Sequence, residues 1–185
     1  MFAFIVALLA SLVVTTAVLR YNHVHQRWTG DSDLTGVQKF HGYVVPRIGG
    51  VGIGVALVCV ALVMVGIKDP YTRPFLLLLL CATPAFLGGL AEDLTKKVGV
   101  AHRLLLTMGS AVLGYFLLGA SLNRIDVPVI DTALQWWPVA LLFTAVAIGG
   151  VANAMNIIDG YNGLSGVVSC VILAGLGYVA SQVGS

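Results

Sequence analysis

Long apolar stretches separated by short polar segments dominate the chain. Six of them approach the roughly 20 mostly apolar residues that an α-helix needs to cross a bilayer. They cover residues 2–19, 48–67, 75–90, 104–122, 137–155 and 164–183. The pattern predicts an all-α fold, a polytopic transmembrane helical bundle of about six spans that forms a single transmembrane domain over residues 1–185.

Two spans carry features that refine this prediction. No Lys or Arg precedes the first span and no small-residue cleavage site follows it, so we expect a retained helix and not a secretory signal. The third span is short and contains Pro84. We expect a kink there, with the freed carbonyl satisfied by neighbouring helices or side chains.

Composition agrees with lipid as the solvent. The chain is 58% hydrophobic and 10% charged, whereas about a quarter of the residues of an ordinary soluble domain are charged. A net charge of +2 without a basic, aromatic-studded stripe argues against nucleic-acid binding. Cys59, Cys81 and Cys170 lie inside apolar runs, where thiols behave as small hydrophobes, so no disulfide framework is expected.

The basic residues predict the orientation. Seven of the ten Lys and Arg residues lie in the connections after the first and third spans. The positive-inside rule places these connections in the cytoplasm, and both chain ends outside. All four histidines and most carboxylates fall on the same side. The outer connections, including residues 123–135, are predicted to be turn-like and poor in chemistry.

The first candidate segment covers residues 38–54 and reads Gln-Lys-Phe-His-Gly-Tyr-Val-Val-Pro-Arg-Ile-Gly-Gly-Val-Gly-Ile-Gly. Its basic residues Lys39, His41 and Arg47 would suit phosphate groups. The alternative is that they only set the topology, and that Gly50 and Gly54 let two helices approach closely. For the two glycines we favour that packing role.

The second segment covers residues 88–97 and reads Gly-Gly-Leu-Ala-Glu-Asp-Leu-Thr-Lys-Lys. It places Glu92 and Asp93 side by side at the cytoplasmic mouth of the third span. Adjacent helical positions point about 100° apart, so the two carboxylates should serve different partners, one binding metal and the other moving a proton. The alternative is that both are simply hydrated at the interface.

The third segment covers residues 153–166 and reads Asn-Ala-Met-Asn-Ile-Ile-Asp-Gly-Tyr-Asn-Gly-Leu-Ser-Gly. Asn153, Asn156 and Asp159 recur every three residues and share a face if the fifth span continues that far. The amides could merely join helices by hydrogen bonds. Two amides with a carboxylate instead favour oxygen ligation of Mg²⁺. Carboxylates facing cationic loops beside lipid suit a reaction between a soluble diphosphate and a lipid phosphate.

Taken in order, the motifs resemble the polyprenyl-phosphate N-acetylhexosamine-1-phosphate transferases, glycosyltransferase family 4. The resemblance runs from about Gln38 to the end and rests on Lys-Phe-His with Pro-Arg-Ile-Gly-Gly, then Gly-Leu-Ala-Glu-Asp-Leu-Thr-Lys, then Asn-Ala-Met-Asn-Ile-Ile-Asp-Gly-Tyr-Asn-Gly-Leu. It implies Mg²⁺-dependent transfer of a sugar 1-phosphate from a UDP-N-acetylhexosamine to undecaprenyl phosphate, with release of UMP. It also implies cell-envelope glycan synthesis at the cytoplasmic face of the bacterial inner membrane, and a homodimer.

The resemblance further implies roles for individual residues. Asp159 is similar to the family's metal-binding aspartate, and Asp93 is expected to share the metal. The Glu92–Asp93 pair resembles the aspartate pair whose first member deprotonates the lipid phosphate or acts as nucleophile. The catalytic candidates are therefore Glu92, Asp93 and Asp159. The substrate-binding candidates are Lys39, His41, Arg47, Lys96, Asn153 and Asn156.

The chain departs from the family pattern in three respects. Glu92 and Asn162 stand where relatives carry Asp. Family members usually have ten or eleven spans and a later histidine- and arginine-rich loop, so we expect this chain to be the N-terminal portion of such a transferase. A catalytically incomplete membrane scaffold fragment is the alternative. A transporter fragment is a third reading, which the uncharged span centres disfavour. The Glu-Asp-Leu-Thr-Lys variant favours an O-antigen pathway over peptidoglycan.

Overall fold

The computed structural model describes residues 2–21, 30–31, 45–46, 48–95, 97–158 and 163–183. Within these ranges the chain forms seven helices and one pair of two-residue strands. The helices are α1 (Phe2–Arg20), α2 (Gly50–Gly66), α3 (Thr72–Thr95), α4 (Val100–Leu118), α5 (Pro128–Leu134), α6 (Trp137–Ile158) and α7 (Leu164–Val183). The strands β1 (Gly30–Asp31) and β2 (Val45–Pro46) pair antiparallel. The predicted all-α architecture is confirmed.

Each of the six predicted spans coincides with a helix. Five of these helices, α1, α3, α4, α6 and α7, are long and apolar enough to cross a membrane. The sixth, α2, has 17 apolar residues, about 25 Å at 1.5 Å per residue, which is at the lower end of the range for a spanning helix. The chain is therefore a multi-pass membrane protein. Its orientation stays a prediction.

The bounds of α3 and α4 differ most from those predicted. The third span was expected at residues 75–90, but α3 continues to Thr95. The fourth was expected at residues 104–122, but α4 begins at Val100 and ends at Leu118, where Gly119 adopts a left-handed conformation with φ 66°. The apolar pattern stops at the first charged residue, whereas backbone hydrogen bonding continues through it. Charged residues that were assigned to loops therefore lie on helices.

Small residues fill the helix contacts, and large apolar side chains point outward. Except for Leu134, every buried residue in the described helices is Gly, Ala, Cys or Thr. Side chains such as Leu62, Phe116 and Leu142 are more than half exposed. This is the reverse of a soluble core and is the arrangement expected where lipid surrounds the helices and small residues let their backbones approach.

Glycines of α2 face two different neighbouring helices. A Cβ at Gly52 would lie 2.6 Å from Thr15 Oγ1 of α1, and one at Gly54 would lie 2.7 Å from Phe86 Cζ of α3. At Gly50 a Cβ would meet no described atom within 4 Å. The predicted packing role is thus confirmed for Gly54, and for Gly50, the first residue of α2, it stays a prediction.

Helix α4 packs between α3 and α6. On one side, a Cβ at Gly88 of α3 would lie 2.6 Å from Leu106 Cδ1. On the other side, a Cβ at Gly149 of α6 would lie 3.0 Å from Met108 Cγ and 3.1 Å from Leu104 Cδ1. These glycines therefore bring α3 and α6 close to the same stretch of α4.

Pro84 lies inside α3 and interrupts its hydrogen-bond ladder. The next residue is satisfied from another helix, because the Ala85 N–H donates to Ser110 Oγ of α4 at 3.0 Å. One turn earlier, Thr83 Oγ1 donates to the Leu79 carbonyl at 2.9 Å. The expected kink and the partner of the carbonyl freed by the proline, that of Leu80, stay predictions.

The connection between α4 and α6 is more ordered than predicted. Residues 123–135 were expected to be turn-like, but they contain α5 with Pro128 as its first residue. Asp131 Oδ1 accepts from the Ile125 N–H at 2.7 Å, and Thr132 Oγ1 donates to the Pro128 carbonyl at 2.8 Å. Leu134 is the largest fully buried side chain among the described residues, so α5 is held against the bundle.

Candidate active site

The ends of α3 and α6 and the beginning of α4 lie at the same end of the bundle. Only residues 96–99 separate α3 from α4, so the two helices run antiparallel and the last turns of α3 face the first turns of α4. Thr107 of α4 donates from Oγ1 to the Arg103 carbonyl at 2.9 Å, one turn back along the helix. Arg103 therefore lies on α4, one turn before Thr107.

An ion pair joins α3 to α4 at this end. Arg103 Nη1 donates to Glu92 Oε2 at 2.6 Å and to Oε1 at 2.8 Å. The two side chains are 15% and 28% exposed. A hydrogen bond between two charged groups at this length is strong, and partial burial protects it from screening by salt. Glu92 is thus engaged by a single nitrogen of Arg103.

A cavity of about 200 Å³ lies next to the ion pair, between α3, α4 and α6. Its polar lining consists of Arg103, Thr107, Asn153 and Asn156, and small residues such as Ala85 and Gly149 form its apolar walls. The space is sufficient for several water molecules or a small anion. One guanidinium, two amides and a hydroxyl make this cavity suitable for phosphate oxygens.

The two asparagines occupy the last two turns of α6. That helix continues to Ile158, so Asn153 and Asn156 are helical and both line the cavity. The predicted shared face is confirmed for these two residues. Asn153 is half-buried and Asn156 is exposed, which places one amide within the bundle and the other at its surface.

The adjacent carboxylates Glu92 and Asp93 both lie in the last turns of α3. Glu92 faces Arg103, as described above. Asp93 is half-buried, and its role in catalysis or metal binding stays a prediction. Adjacent positions of a helix diverge by about 100°, so Asp93 points away from the direction that Glu92 takes toward α4.

Five sequence-predicted site residues lie outside the described part of the chain. They are Lys39, His41, Arg47, Lys96 and Asp159. The other four lie within the described residues, Glu92 and Asp93 on α3 and Asn153 and Asn156 on α6. Of these four, the structure brings the two asparagines together in the lining of one cavity.

Mg²⁺ in proteins takes oxygen ligands, chiefly carboxylates. Among the described residues, no three His, Cys, Asp or Glu side chains gather in a metal-binding group. In the described part of the chain, the charged group that lines the cavity is a guanidinium, which repels a cation. The cavity therefore fits an anion. Carboxylate oxygens of the kind that Mg²⁺ takes are available on α3 at Asp93 and, outside the described residues, at Asp159.

Arg103 and Thr107 are the site residues that the sequence analysis missed. Arg103 was counted only as a topology-setting residue because it precedes the apolar run that begins at Leu104. The available signal was its spacing: Arg103 and Thr107 are four residues apart, so they share a helical face if the helix begins before them.

Comparisons with known proteins show what the chain is similar to. The sequence model of glycosyl transferase family 4 matches residues 75–185. A probable undecaprenyl-phosphate N-acetylglucosaminyl 1-phosphate transferase of Bacillus subtilis is 28% identical over 179 residues, 96% of this chain and 47% of that relative.

Two further relatives are undecaprenyl-phosphate alpha-N-acetylglucosaminyl 1-phosphate transferases. The one from Escherichia coli strain K12 is 27% identical over 175 residues, 93% of this chain and 46% of the relative. The one from Yersinia pestis is 30% identical over 156 residues, 82% of this chain and 40% of the relative. The chain thus spans less than half the length of these relatives. No solved structure matches it.

Proposed function

Since this chain belongs to glycosyl transferase family 4, we propose that it contributes to the transfer of an N-acetylhexosamine 1-phosphate from a UDP-sugar to undecaprenyl phosphate. The names of its relatives supply the lipid acceptor and the transferred group. The observation that carries the proposal is the cavity of Arg103, Asn153 and Asn156, which lies beside the carboxylates of α3 at one end of the spans.

The reaction would join an oxygen of the lipid phosphate to the phosphorus that carries the sugar. The bond from that phosphorus to the UMP oxygen breaks, and UMP leaves. Phosphoryl transfer depends mainly on positioning and on neutralising charge. Bound Mg²⁺ would supply part of that neutralisation, held by Asp93 and Asp159.

The chain's own side chains would divide the remaining work. Asn153 and Asn156 would donate amide hydrogens to the nucleotide, and the basic residues Lys39, His41, Arg47 and Lys96 would bind its phosphates. Glu92 would accept the proton from the lipid phosphate, since Asp93 is assigned to the metal. Because both carboxylates lie in the last turns of a spanning helix, they would meet a phosphate carried at the membrane surface.

Orientation and location follow from the same reasoning. The basic residues of the connections after α1 and α3 favour a cytoplasmic site, where nucleotide sugars are soluble substrates. We therefore propose the cytoplasmic face of the bacterial inner membrane and a role in cell-envelope glycan synthesis. Relatives named for N-acetylglucosaminyl 1-phosphate transfer support UDP-N-acetylglucosamine as the first donor to test. A homodimer stays a prediction.

The decisive experiment combines transfer and binding. Membranes containing the chain are incubated with radiolabelled UDP-N-acetylhexosamines and undecaprenyl phosphate, with and without Mg²⁺, next to a version extended at its C-terminus by the matching part of a relative. Affinity for UDP-N-acetylglucosamine is measured in parallel on the purified chain. Asp93→Asn and Asp159→Asn should lower transfer by about 10² or more, as expected for a lost acid–base or metal-binding group.

Asp126→Asn is the matched control. Asp126 is 77% exposed at the opposite end of the bundle, and its positive φ of 62° is tolerated by Asn. Transfer and binding should be unchanged in this variant. Unchanged UDP-sugar binding and transfer in both the Asp93 and Asp159 variants would contradict the proposal.

A further inference from the structure

Arg103 supplies the formal charge in the wall of the cavity. Of the described residues that line it, the others carry amides, a hydroxyl or apolar groups. Glu92 lies beside the cavity and not in its lining, and it meets the guanidinium from α3. The cavity therefore presents a positive charge whose counter-ion comes from outside.

The geometry of the ion pair leaves part of the guanidinium available. Both hydrogen bonds to Glu92 come from Nη1, and neither Nε nor Nη2 donates to a described side chain. A guanidinium has five N–H donors in a planar fork, which matches the oxygens of a phosphate as well as those of a carboxylate. Arg103 thus has donors beyond those that hold Glu92, and through them an anion in the cavity can first engage the guanidinium and then displace the carboxylate.

We propose that Arg103 is the anion-binding residue of this cavity and that Glu92 is an internal ligand that competes for it. An incoming diphosphate takes the guanidinium and releases the Glu92 carboxylate beside Asp93. Binding of the anionic substrate would then free the Glu92 carboxylate to accept a proton. The identity of the anion as a diphosphate rests on the proposed function, whereas the competition itself does not.

A plain structural role for the ion pair makes different predictions. If the pair only fastened α3 to α4, loss of either partner would loosen the cavity and weaken anion binding in the same direction. Competition predicts that loss of Arg103 and loss of Glu92 change the affinity for the anion in opposite directions. Removing the charge of Arg103 removes the binding group, whereas removing the charge of Glu92 removes a competitor and leaves the binding group in place.

The test measures binding of inorganic pyrophosphate to the purified full chain in nanodiscs, by calorimetry, for four variants. Glu92→Gln should tighten binding about three- to tenfold, and Arg103→Gln should weaken it about tenfold or more. The exchanged variant Glu92→Arg with Arg103→Glu can rebuild the ion pair but moves the cation to α3. It should recover thermal stability relative to Arg103→Gln without recovering pyrophosphate binding.

Arg124→Gln is the matched control, since Arg124 makes a 2.7 Å ion pair with Asp126 that is exposed and lies at the opposite end. Pyrophosphate binding should not change in it. Weaker binding in Glu92→Gln, or full binding in the exchanged variant, would overturn the competition. The Glu92→Gln measurement alone decides the question if Arg103→Gln fails to fold.

The outcome is separable from that of the proposed function. Opposite signs for the two variants, with no sugar-phosphate transfer by the wild type or by the extended version, would keep the anion site and reject the transferase. If transfer depends on Asp93 and Asp159, and the Glu92 and Arg103 variants change pyrophosphate affinity in the same direction, the transferase is supported and the competition is rejected.

Discussion

Gly149 of α6 packs without a side chain against α4, next to the candidate site. A Cβ at this position would lie 3.0 Å from Met108 Cγ and 3.1 Å from Leu104 Cδ1. These distances are several tenths of an ångström shorter than ordinary contacts between carbon atoms. Gly149→Val would place that Cβ and two further methyl groups into the interface, so α4 and α6 must separate or repack.

The expected destabilisation follows from two opposing effects. Overpacking of a filled interface costs about 1–3 kcal/mol. Replacing Gly by Val within a helix returns about 0.4 kcal/mol of helix propensity. The net loss should therefore be about 0.6–2.6 kcal/mol, which corresponds to a fall in Tm of about 1–10 °C for a chain of this length. Because Gly149 also lines the cavity, the same variant should reduce pyrophosphate binding.

Gly150→Val is the matched control one residue further along the same helix. Gly150 is exposed, and a Cβ there would meet no described atom within 4 Å. It receives the same gain in propensity without the steric cost, so its Tm should equal or slightly exceed that of the wild type. The assay is thermal unfolding of the purified chain in detergent, followed by tryptophan fluorescence. Equal Tm values for the two valine variants would refute the packing argument.

Two further stability predictions use the same thermal unfolding measurement. Gly119→Ala should lower the free energy of unfolding by about 1–2 kcal/mol, because Gly119 has a φ of 66°. Gly109→Ala in α4, where a Cβ meets open space among the described atoms, should raise it by about 0.5–1 kcal/mol. Similar changes in Tm for the two variants would contradict the assignment of a left-handed cap. Ser110→Ala should lower the free energy of unfolding by about 1–3 kcal/mol, because the N–H of Ala85 loses its acceptor next to Pro84. Ser110→Thr keeps a hydroxyl and should recover most of that loss. An unchanged Tm in the alanine variant would show that this N–H finds another partner.

The membrane spans could be predicted from the sequence because lipid imposes one demand on each of them, a long run of apolar side chains around a hydrogen-bonded backbone. The ends of the helices could not be predicted in the same way. Glu92, Asp93 and Arg103 interrupt the apolar runs, yet they lie on α3 and α4. The hydropathy pattern shows where a run of apolar side chains ends, and the end of α3 and the beginning of α4 extend beyond that point.

Helix α5 shows a second limit of the pattern. Its seven residues, Pro-Val-Ile-Asp-Thr-Ala-Leu, are too few to show a clear apolar period. The signals for a helix were local: Pro128 at the first position, Asp131 in the first turn and Thr132 one turn after the proline. Burial of Leu134 depends on how α5 meets α6, which no local pattern specifies.

The candidate site was predictable where it depends on spacing within one helix. Asn153 and Asn156 recur at three residues, and both reach the cavity. The partnership of Glu92 with Arg103 was not predictable, because it depends on the packing of two helices. A Cβ at Gly88 would lie 2.6 Å from Leu106, and this close approach of α3 to α4 brings the ends of the two helices within reach of an ion pair.

The ion pair also explains how a site for polyanions can exist at the edge of a membrane before its ligand arrives. A guanidinium that is 15% exposed would be costly without a counter-ion, since part of its hydration is lost. Glu92 neutralises it in the ligand-free protein, and the longer side chain of Glu extends further from α3 toward α4 than that of Asp. Glu92, which stands where the resemblance leads to the expectation of Asp, is thus the residue that pairs with Arg103.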